Sequence, residues 1–326
     1  MKRINWGIIG VGDVTEIKSG PAFYKIENSS LVAVMRRDEA KAKDFAFRHN
    51  VPYYYTNAET LINNPQVNAV YVATPPNTHK EYAIMAMRAG KPVYVEKPMA
   101  MNYEECLEML RVSEQTRQKL FSAYYRRALP YFLQVKELID KGVVGDILTV
   151  NTSYFRQPSD TDIDPQKQTW RVKKEIAGGG YFFDMAPHTL DILDFLIGEI
   201  EDAKAYVANL GKLYDVEDTI SATFRFKSGV QGTGQWCYVS SPAAECDQTV
   251  ISGTKGSISF NTFSFKPIVL TTSEGVNLYD AIQPQHIQQP LIQSIVDELR
   301  GKGKCPSTGI SGARTSKIMD IMFGRI

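Results

Sequence analysis

The sequence has few of the residues that mark disulfide-rich or metal-binding proteins. Among its 326 residues are only four cysteines, which are widely separated and form no CxxC pair: Cys106, Cys237, Cys246 and Cys305. This spacing excludes a disulfide scaffold and predicts four reduced thiols. Only four histidines are present. Because no two of them stand close together in the chain, we expect no metal site.

The sequence also lacks an excess of charge of one sign. It has 37 basic against 36 acidic residues, a net charge of +1, whereas a nucleic-acid-binding domain needs a clear positive excess. No apolar run reaches the roughly 18–20 residues that a membrane helix requires. Glycines interrupt the first apolar stretch, too early for a signal peptide. We therefore expect a cytoplasmic protein that acts on a small molecule, without nucleic acid or membrane as a partner.

The first 125 residues alternate short apolar runs with helical patterns. The runs are continuous, as in parallel strands that helices cover on both faces: Ile4–Ile9, Leu31–Met35, Ala69–Ala73, Val93–Glu96 and Leu120–Tyr124. In the long helical pattern at residues 103–118, we expect Leu107, Leu110 and Val112 to be buried. The alternation predicts an α/β fold, with a Rossmann dinucleotide-binding domain over residues 1–125.

Residues 126–326 follow a different pattern. Four segments come first: a helix at Tyr131–Lys141, a strand at Ile147–Phe155, a polar loop at Arg156–Glu175 and a helix at Asp184–Leu196. Strands separated by turn signals then run from Ala203 to Thr272, among them Thr219–Phe226 and Gly256–Phe260. Two helices follow them, at about Pro290–Arg300 and Ile310–Phe323. Several of these strands lack clean alternation. We expect an α+β domain for substrate binding and oligomerisation, with a large open, mostly antiparallel sheet and helices on one face.

A glycine-rich turn directly follows the first predicted strand, in the segment GIIGVGDVTEIKSG. Gly10 and Gly12 stand where a dinucleotide-binding turn needs a tight bend and close approach to a pyrophosphate. The next residues, Asp13, Val14 and Thr15, open the helix whose N-terminus would face that anion. Thr15 replaces the usual third small residue. The alternative is an ordinary glycine turn.

Basic residues end the second predicted strand, in LVAVMRRDEAKA. Arg36 and Arg37 offer guanidinium groups that suit the 2′-phosphate of NADP. Asp38 follows one position later and could instead bind the ribose hydroxyls of NAD. The sequence favours NADP and leaves NAD as the alternative.

Two further motifs end the next strands, ATPPNTH and EKP. Thr74, Pro75, Asn77 and His79 lie at the carboxyl edge of the sheet, where such folds bind ligands. Taken alone, His79 is more typical of a helix start than of a catalytic residue. Glu96 and Lys97 reach the same edge. Pro98 restricts Lys97 to an extended backbone, and a cationic donor there could polarise a carbonyl or exchange its proton.

The second domain carries the segment AGGGYFFDMAPHTLDIL. Asp184, His188 and Asp191 are spaced four and three residues apart, so they share one helix face. A histidine beside a carboxylate is suited to proton transfer. The alternative is a buried structural histidine whose ring one of these carboxylates satisfies.

These motifs, with GIIGVG, ATPPNTH, EKP and GGGxxxDxxxH in this order, resemble the Gfo/Idh/MocA oxidoreductase family, named for glucose-fructose oxidoreductase, inositol dehydrogenase and rhizopine catabolism. The resemblance extends to AYYRRALPYF and TWR. It implies a Rossmann domain and an α/β domain whose open sheet often forms an oligomer interface, hence a homodimer or tetramer. It also implies that Lys97 and His188 are the catalytic pair, with Asp184 on substrate hydroxyls. The Lys97–Pro98 bond is often cis in this family.

The resemblance implies roles for four further residues. Tyr125, Trp170 and Arg171 would approach the cofactor or the substrate, and His286 would reach the nicotinamide region. Arg37 stands where NADP-using members carry basic residues. Tyr125 replaces the polar amide that many members have.

The hypothesis favoured by these features is an NADP-dependent oxidoreductase that interconverts a secondary alcohol and a ketone on a sugar or polyol-like substrate. One alternative keeps the cofactor tightly bound, so that transient oxidation permits epimerisation or elimination. The other is a non-catalytic dinucleotide sensor of the same fold.

Overall fold

The computed structural model describes all residues from 1 to 326 and divides them into two compact units. The first unit comprises Met1–Leu129 and Pro284–Ala313; the second comprises Pro130–Gln283 and Arg314–Ile326. The composition change at residue 125 predicted one boundary, with everything after it in the second domain. The structure differs by returning Pro284–Ala313 to the first unit.

The first unit is built on a six-stranded parallel sheet. Its strands lie in the order β3-β2-β1-β4-β5-β6. Their bounds are β1 (Ile4–Ile9), β2 (Ser29–Met35), β3 (Tyr53–Tyr55), β4 (Ala69–Val72), β5 (Val93–Val95) and β6 (Leu120–Ser122). All neighbouring pairs are parallel. The predicted Rossmann sheet is therefore confirmed, except that β3 was missed because its three tyrosines form no apolar run.

Helices accompany these strands. They are α1 (Asp13–Ile17), α2 (Ala22–Lys25), α3 (Glu39–Arg48), α4 (Ala58–Asn63), α5 (His79–Arg88) and α6 (Tyr103–Thr116). The central strands are buried, as continuous apolar runs require. In α6 the prediction for Leu107 was wrong. It is 45% exposed, while Cys106, Met109 and Val112 face the core, since residues three apart share a helix face.

The second unit contains an eight-stranded sheet in the order β14-β13-β12-β11-β7-β10-β9-β8. The strands are β7 (Ile147–Phe155), β8 (Ile200–Ala208), β9 (Thr219–Phe226), β10 (Gln231–Cys237), β11 (Cys246–Gly253), β12 (Gly256–Phe260), β13 (Ile268–Thr272) and β14 (Gly275–Tyr279). Only β7 and β10 pair in parallel; all other neighbours are antiparallel. The mostly antiparallel sheet is confirmed.

Burial alternates along β9 and β10, contrary to the expectation of poor alternation. In β10, two glycines concealed the pattern. A Cβ on Gly232 would lie 2.1 Å from the Phe224 ring, and one on Gly234 would lie 2.2 Å from the Trp236 ring. The glycines therefore occupy inward positions and make room for these aromatic rings.

The other helices are α7 (Pro130–Asp140), α8 (Asp160–Ile163), α9 (Lys174–Ala177), α10 (Tyr181–Ile197), α11 (Gln289–Leu299) and α12 (Gly309–Met322). The predicted loop at 156–175 thus contains a helical turn at α8 and a 3₁₀ turn at Trp170–Val172. None of the helices is both long and apolar enough to cross a membrane. None of the four cysteines forms a disulfide.

Candidate active site

In the glycine-rich turn between β1 and α1, position 10 requires glycine. Its φ is +97°, a conformation that other residues rarely adopt. A Cβ there would lie 2.8 Å from Thr74 Cγ2 and 2.9 Å from the carbonyl carbon of Ala73. The turn between β1 and α1 is therefore pressed against the end of β4.

Gly12 has no such packing reason to be glycine. Its φ is −141°, and a Cβ built on it would meet no heavy atom within 4 Å. A side chain at this position would project into the space through which a pyrophosphate approaches the backbone in dinucleotide-binding turns. The residues present thus fit a dinucleotide. The first-turn amides of Asp13 and Val14 lack acceptors within the helix and are suited to the anion.

Thr15 stands where dinucleotide-binding turns usually have a third small residue, and its contacts account for the difference. The side chain is fully buried. Its hydroxyl accepts a hydrogen bond from the Gly12 N–H at 2.9 Å and donates one to the Gly12 carbonyl at 2.7 Å. Thr15 therefore closes the turn with its side chain, in the manner of a capping box.

The three charged residues that follow β2 differ in their contacts. The Arg36 guanidinium donates to the Val11 carbonyl at 2.7 Å, so it lies against the glycine turn. Arg37 is exposed. Asp38 caps α3 by accepting from the Lys41 N–H at 3.1 Å, and this hydrogen bond lowers the pKa of the carboxyl.

His79 joins the turns that follow β4 and β5. It is fully buried, with Nε2 2.7 Å from the Thr74 carbonyl and Nδ1 2.9 Å from the Pro98 carbonyl. Burial lowers the pKa of the ring. The residues before it remain nearer the surface, with Asn77 exposed and Pro75 half-buried. No side chain caps the start of α5, and the Thr78 hydroxyl donates to Thr74 Oγ1 at 2.8 Å.

Lys97 follows β5 in a turn with a buried carboxylate. Its peptide bond to Pro98 is cis, and its N–H donates to Glu96 Oε2 at 3.2 Å. Glu96 is only 7% exposed and also accepts from the hydroxyl of Tyr71. Burial, and then the Glu96 charge, raise the pKa of Tyr71 well above its ordinary value. The lysine is half-buried.

Two other predicted residues of the first unit lie in protein contacts. Tyr125 is buried in a 3₁₀ turn after β6, with the Arg126 guanidinium 5.0 Å from its ring centroid. His286 is buried beside the α1–α2 segment. Its Nδ1 is 2.7 Å from the Ile17 carbonyl and its Nε2 is 2.6 Å from Lys25 Nζ. Both ring nitrogens of His286 therefore contact this segment.

In the second unit, Asp184 lies on α10 and is joined to the 3₁₀ turn of residues 170–172. Arg171 Nε donates to Asp184 Oδ2 at 2.9 Å, and the Arg171 guanidinium stands 4.7 Å from the Trp170 ring centroid. The structure thus brings three of the predicted residues together. The start of α10 is fixed by Glu217, whose Oε1 accepts from the Gly180 N–H at 2.7 Å. Burial raises the pKa of Glu217.

His188 lies one helical turn after Asp184. It is 5% exposed, and its ring meets Phe263 edge-on with centroids 6.0 Å apart. Asp191 is more deeply buried and accepts from the Thr315 hydroxyl at 3.4 Å. Asp184 and His188 are therefore the members of this helix face that remain closest to solvent. No group of three or more His, Cys, Asp or Glu side chains is placed to hold a metal ion.

Sequence reasoning missed Gln288 and Glu217, which contact residues of the predicted motifs. Gln288 Nε2 donates to Glu96 Oε1 at 2.7 Å, across 192 positions of the chain. Glu217 reaches Gly180 across 37 positions. No local pattern signals either contact, because each depends on how distant segments come together.

Comparisons with known proteins agree on the family. Residues 4–124 match the oxidoreductase family with an NAD-binding Rossmann fold, and residues 132–259 match the GFO/IDH/MocA C-terminal domain. The chain is 41% identical over 324 residues to Oxidoreductase P35 of Formosa agariphila, covering 99% of both chains. It is 26% identical to the 1,5-anhydro-D-fructose reductase of Ensifer adhaerens, covering 94% of this chain and 91% of that one.

A solved structure shows the same fold. Levoglucosan dehydrogenase in complex with NADH and levoglucosan superposes with a TM-score of 0.88 at 22% identity, covering 99% of this chain and 97% of that one. The two matched domains, together with the full-length relative, identify the chain as an NAD-binding oxidoreductase of the Gfo/Idh/MocA family.

Proposed function

We propose that the protein interconverts a secondary alcohol and a ketone on a sugar or polyol-like substrate, with NADP(H) as its preferred cofactor. The observation that carries this proposal is that the chain combines the dinucleotide turn with Lys97 after β5 and with the Asp184–His188 pair on α10. A reductase and a dehydrogenase of anhydrosugars among the similar proteins support the substrate class.

The contacts around β2 support NADP(H) over NAD(H). Asp38 is engaged as the cap of α3, whereas an NAD-binding carboxylate must accept from the ribose hydroxyls. Arg37 is exposed at the same tip, and Arg36 uses one of its five N–H donors on Val11. Both guanidinium groups therefore offer donors that match a 2′-phosphate.

The proposed reaction transfers a hydride and a proton, each through a different group. The bound nicotinamide supplies or accepts the hydride. His188 exchanges the proton of the reacting hydroxyl, while Lys97 orients and polarises its oxygen. Asp184, held by Arg171, binds a neighbouring substrate hydroxyl.

The test measures binding and turnover on the same preparations. Titration of intrinsic fluorescence with NADPH and NADH is expected to show at least about tenfold tighter binding of NADPH, about 1.4 kcal/mol. Turnover is then followed with 1,5-anhydro-D-fructose plus NADPH and with levoglucosan plus NADP⁺. Equal or reversed cofactor preference would refute the preference for NADP(H) and would indicate that Asp38 binds the ribose hydroxyls of NAD(H).

Lys97→Met is the decisive variant for the chemistry. We expect turnover to fall at least about a hundredfold with cofactor affinity nearly unchanged, because the ammonium acts on the substrate oxygen. Lys302→Met, which changes an exposed lysine of the same unit, is the matched control. Retention of most activity by Lys97→Met would refute the assigned role.

A further inference from the structure

The carboxylate of Glu96 is buried next to the turn that carries Lys97. It is 7% exposed and accepts from three neutral donors. Oε1 accepts from the Tyr71 hydroxyl and from Gln288 Nε2, the latter at 2.7 Å, and Oε2 accepts from the Lys97 N–H at 3.2 Å. A buried carboxylate depends on such donors, since each one offsets part of its lost hydration.

Gln288 is fixed from three directions. It is 1% exposed and immediately precedes α11. Its Oε1 accepts from the Tyr94 hydroxyl at 2.7 Å while Nε2 donates to Glu96. Its backbone N–H donates to the Lys18 carbonyl at 3.1 Å, in the segment that follows α1. Both ends of its amide are therefore engaged with the protein.

The partners dictate the orientation of this amide. An ionised carboxylate only accepts hydrogen bonds, so the NH₂ group must face Glu96. The carbonyl end then meets the donating hydroxyl of Tyr94. The rings of Tyr71 and Tyr94 stack with centroids 4.8 Å apart, which fixes the spacing of the two hydroxyls. Tyr71, Tyr94, Glu96 and Gln288 thus form a buried polar cluster, called here the Glu96 cluster.

We propose that Gln288 is a positioning residue for Lys97, which it supports through the carboxylate of Glu96. The other oxygen of that carboxylate accepts from the Lys97 backbone N–H, so a displaced carboxylate displaces the turn. This inference rests on the proposed role of Lys97 in the reaction. It gives the Pro284–Ala313 segment of the first unit a part in catalysis that no local motif indicates.

Two substitutions separate positioning from mere stability. Gln288→Leu keeps the approximate volume but removes the donor to Glu96. We expect kcat to fall about 10–100-fold, as displacement of a catalytic group by about 1 Å does, with cofactor Kd changed less than about threefold. Gln293→Leu makes the same change within α11, at a half-buried glutamine whose side chain contacts only Glu27 and Asp297, and is the control.

Gln288→Glu supplies a signature that loss of stability would not. Two carboxylates at this distance share a proton, so the pKa of one of them is raised. Below that pKa the protonated carboxyl group donates to the other one, so the hydrogen bond between positions 288 and 96 is kept. Above that pKa both carboxyl groups are ionised and repel each other. We expect kcat of Gln288→Glu to come within about threefold of wild type at low pH and to collapse as pH rises, a limb that the wild-type profile lacks.

A second measurement needs no substrate. The rate of Lys97 acetylation by acetic anhydride, followed by mass spectrometry of its peptide, is expected to change at least about fivefold in Gln288→Leu, since modification follows the exposure and protonation of the amine. Lys302 is the internal reference. If both Gln288 variants have the Lys97 acetylation rate, the kcat and the pH profile of the wild type, the inference is wrong. Retained activity in Lys97→Met would refute the proposed function instead.

Discussion

Single side chains stabilise the helix beside the dinucleotide turn. With only five residues, α1 is too short to be stable from its own hydrogen bonds. Thr15 closes its first turn through both polar groups of Gly12. On the outer side, Glu16 accepts two hydrogen bonds from Arg48 at 2.8 and 2.9 Å and faces His49 Nε2 at 3.2 Å. These contacts tie α1 to the end of α3.

The Glu16 contacts predict a pH-dependent contribution to stability. The hydrogen bonds from Arg48 in particular lower the pKa of Glu16 from 4.5 to about 2. Because the folded carboxyl has the lower pKa, the stabilisation is complete above about pH 4.5 and is lost as pH falls towards 2. The side chain is 36% exposed, so solvent screening limits the effect to about 1 kcal/mol.

Glu16→Gln tests this prediction. Urea unfolding near neutral pH is expected to show the variant to be less stable by about 0.5–1 kcal/mol. That difference should shrink steadily once pH drops below about 4.5. Asp44→Asn, which alters a more exposed partner of the same arginine, is the comparison. A gap between Glu16→Gln and wild type that stays constant with pH would contradict the assignment.

At the scale of elements, helix α11 shows what packing adds to periodicity. Four of its apolar side chains are fully buried: Leu291, Ile292, Ile295 and Val296. The apolar spacing placed this helix at 290–300, within one residue of its bounds. Periodicity states that a helix has an apolar face but not which sheet covers that face, so the assignment of Pro284–Ala313 to the first unit required the structure.

Strand bounds could be predicted where the chain itself marks both ends of the strand. Strands β1, β7, β9 and β12 have the predicted bounds, because their apolar or alternating residues are bracketed by glycine and turn signals. The glycine, EKP and DxxxH motifs could be placed at strand ends and on a helix for that reason. The contact of Gln288 with Glu96 joins segments 192 residues apart and has no local signal.

Ile295→Ala tests the packing of α11. Removing a fully buried side chain is expected to lower the free energy of unfolding by about 2–5 kcal/mol. Ser294→Ala, on a half-buried position of the same helix, is expected to change it by less than about 1 kcal/mol. Urea unfolding measures both. A destabilisation by Ile295→Ala no larger than that of Ser294→Ala would show that the helix is not packed as described.

At the scale of the whole molecule, the second unit leaves apolar side chains on its sheet edges. The edge strands are β8 and β14. Tyr206 on β8 is 88% exposed, and Val276 and Leu278 on β14 are 64% and 65% exposed. Val276 and Leu278 stand two residues apart and so share one face of β14, and neighbouring exposed apolar side chains of this kind mark interaction sites. Because closed symmetric assemblies are the usual outcome, we expect a homodimer or a homotetramer.

Sedimentation velocity distinguishes these states from a monomer. The wild-type chain is expected to sediment as an assembly at micromolar concentration. Tyr206→Glu combined with Leu278→Glu should shift it towards the 36.6 kDa monomer, because a charge buried without a partner in an interface is costly. Phe47→Glu is the matched control, since Phe47 is 83% exposed but lies on α3 of the first unit. A wild-type monomer at every concentration would refute the expectation. If only Phe47→Glu dissociates the assembly, the interface lies on the first unit instead.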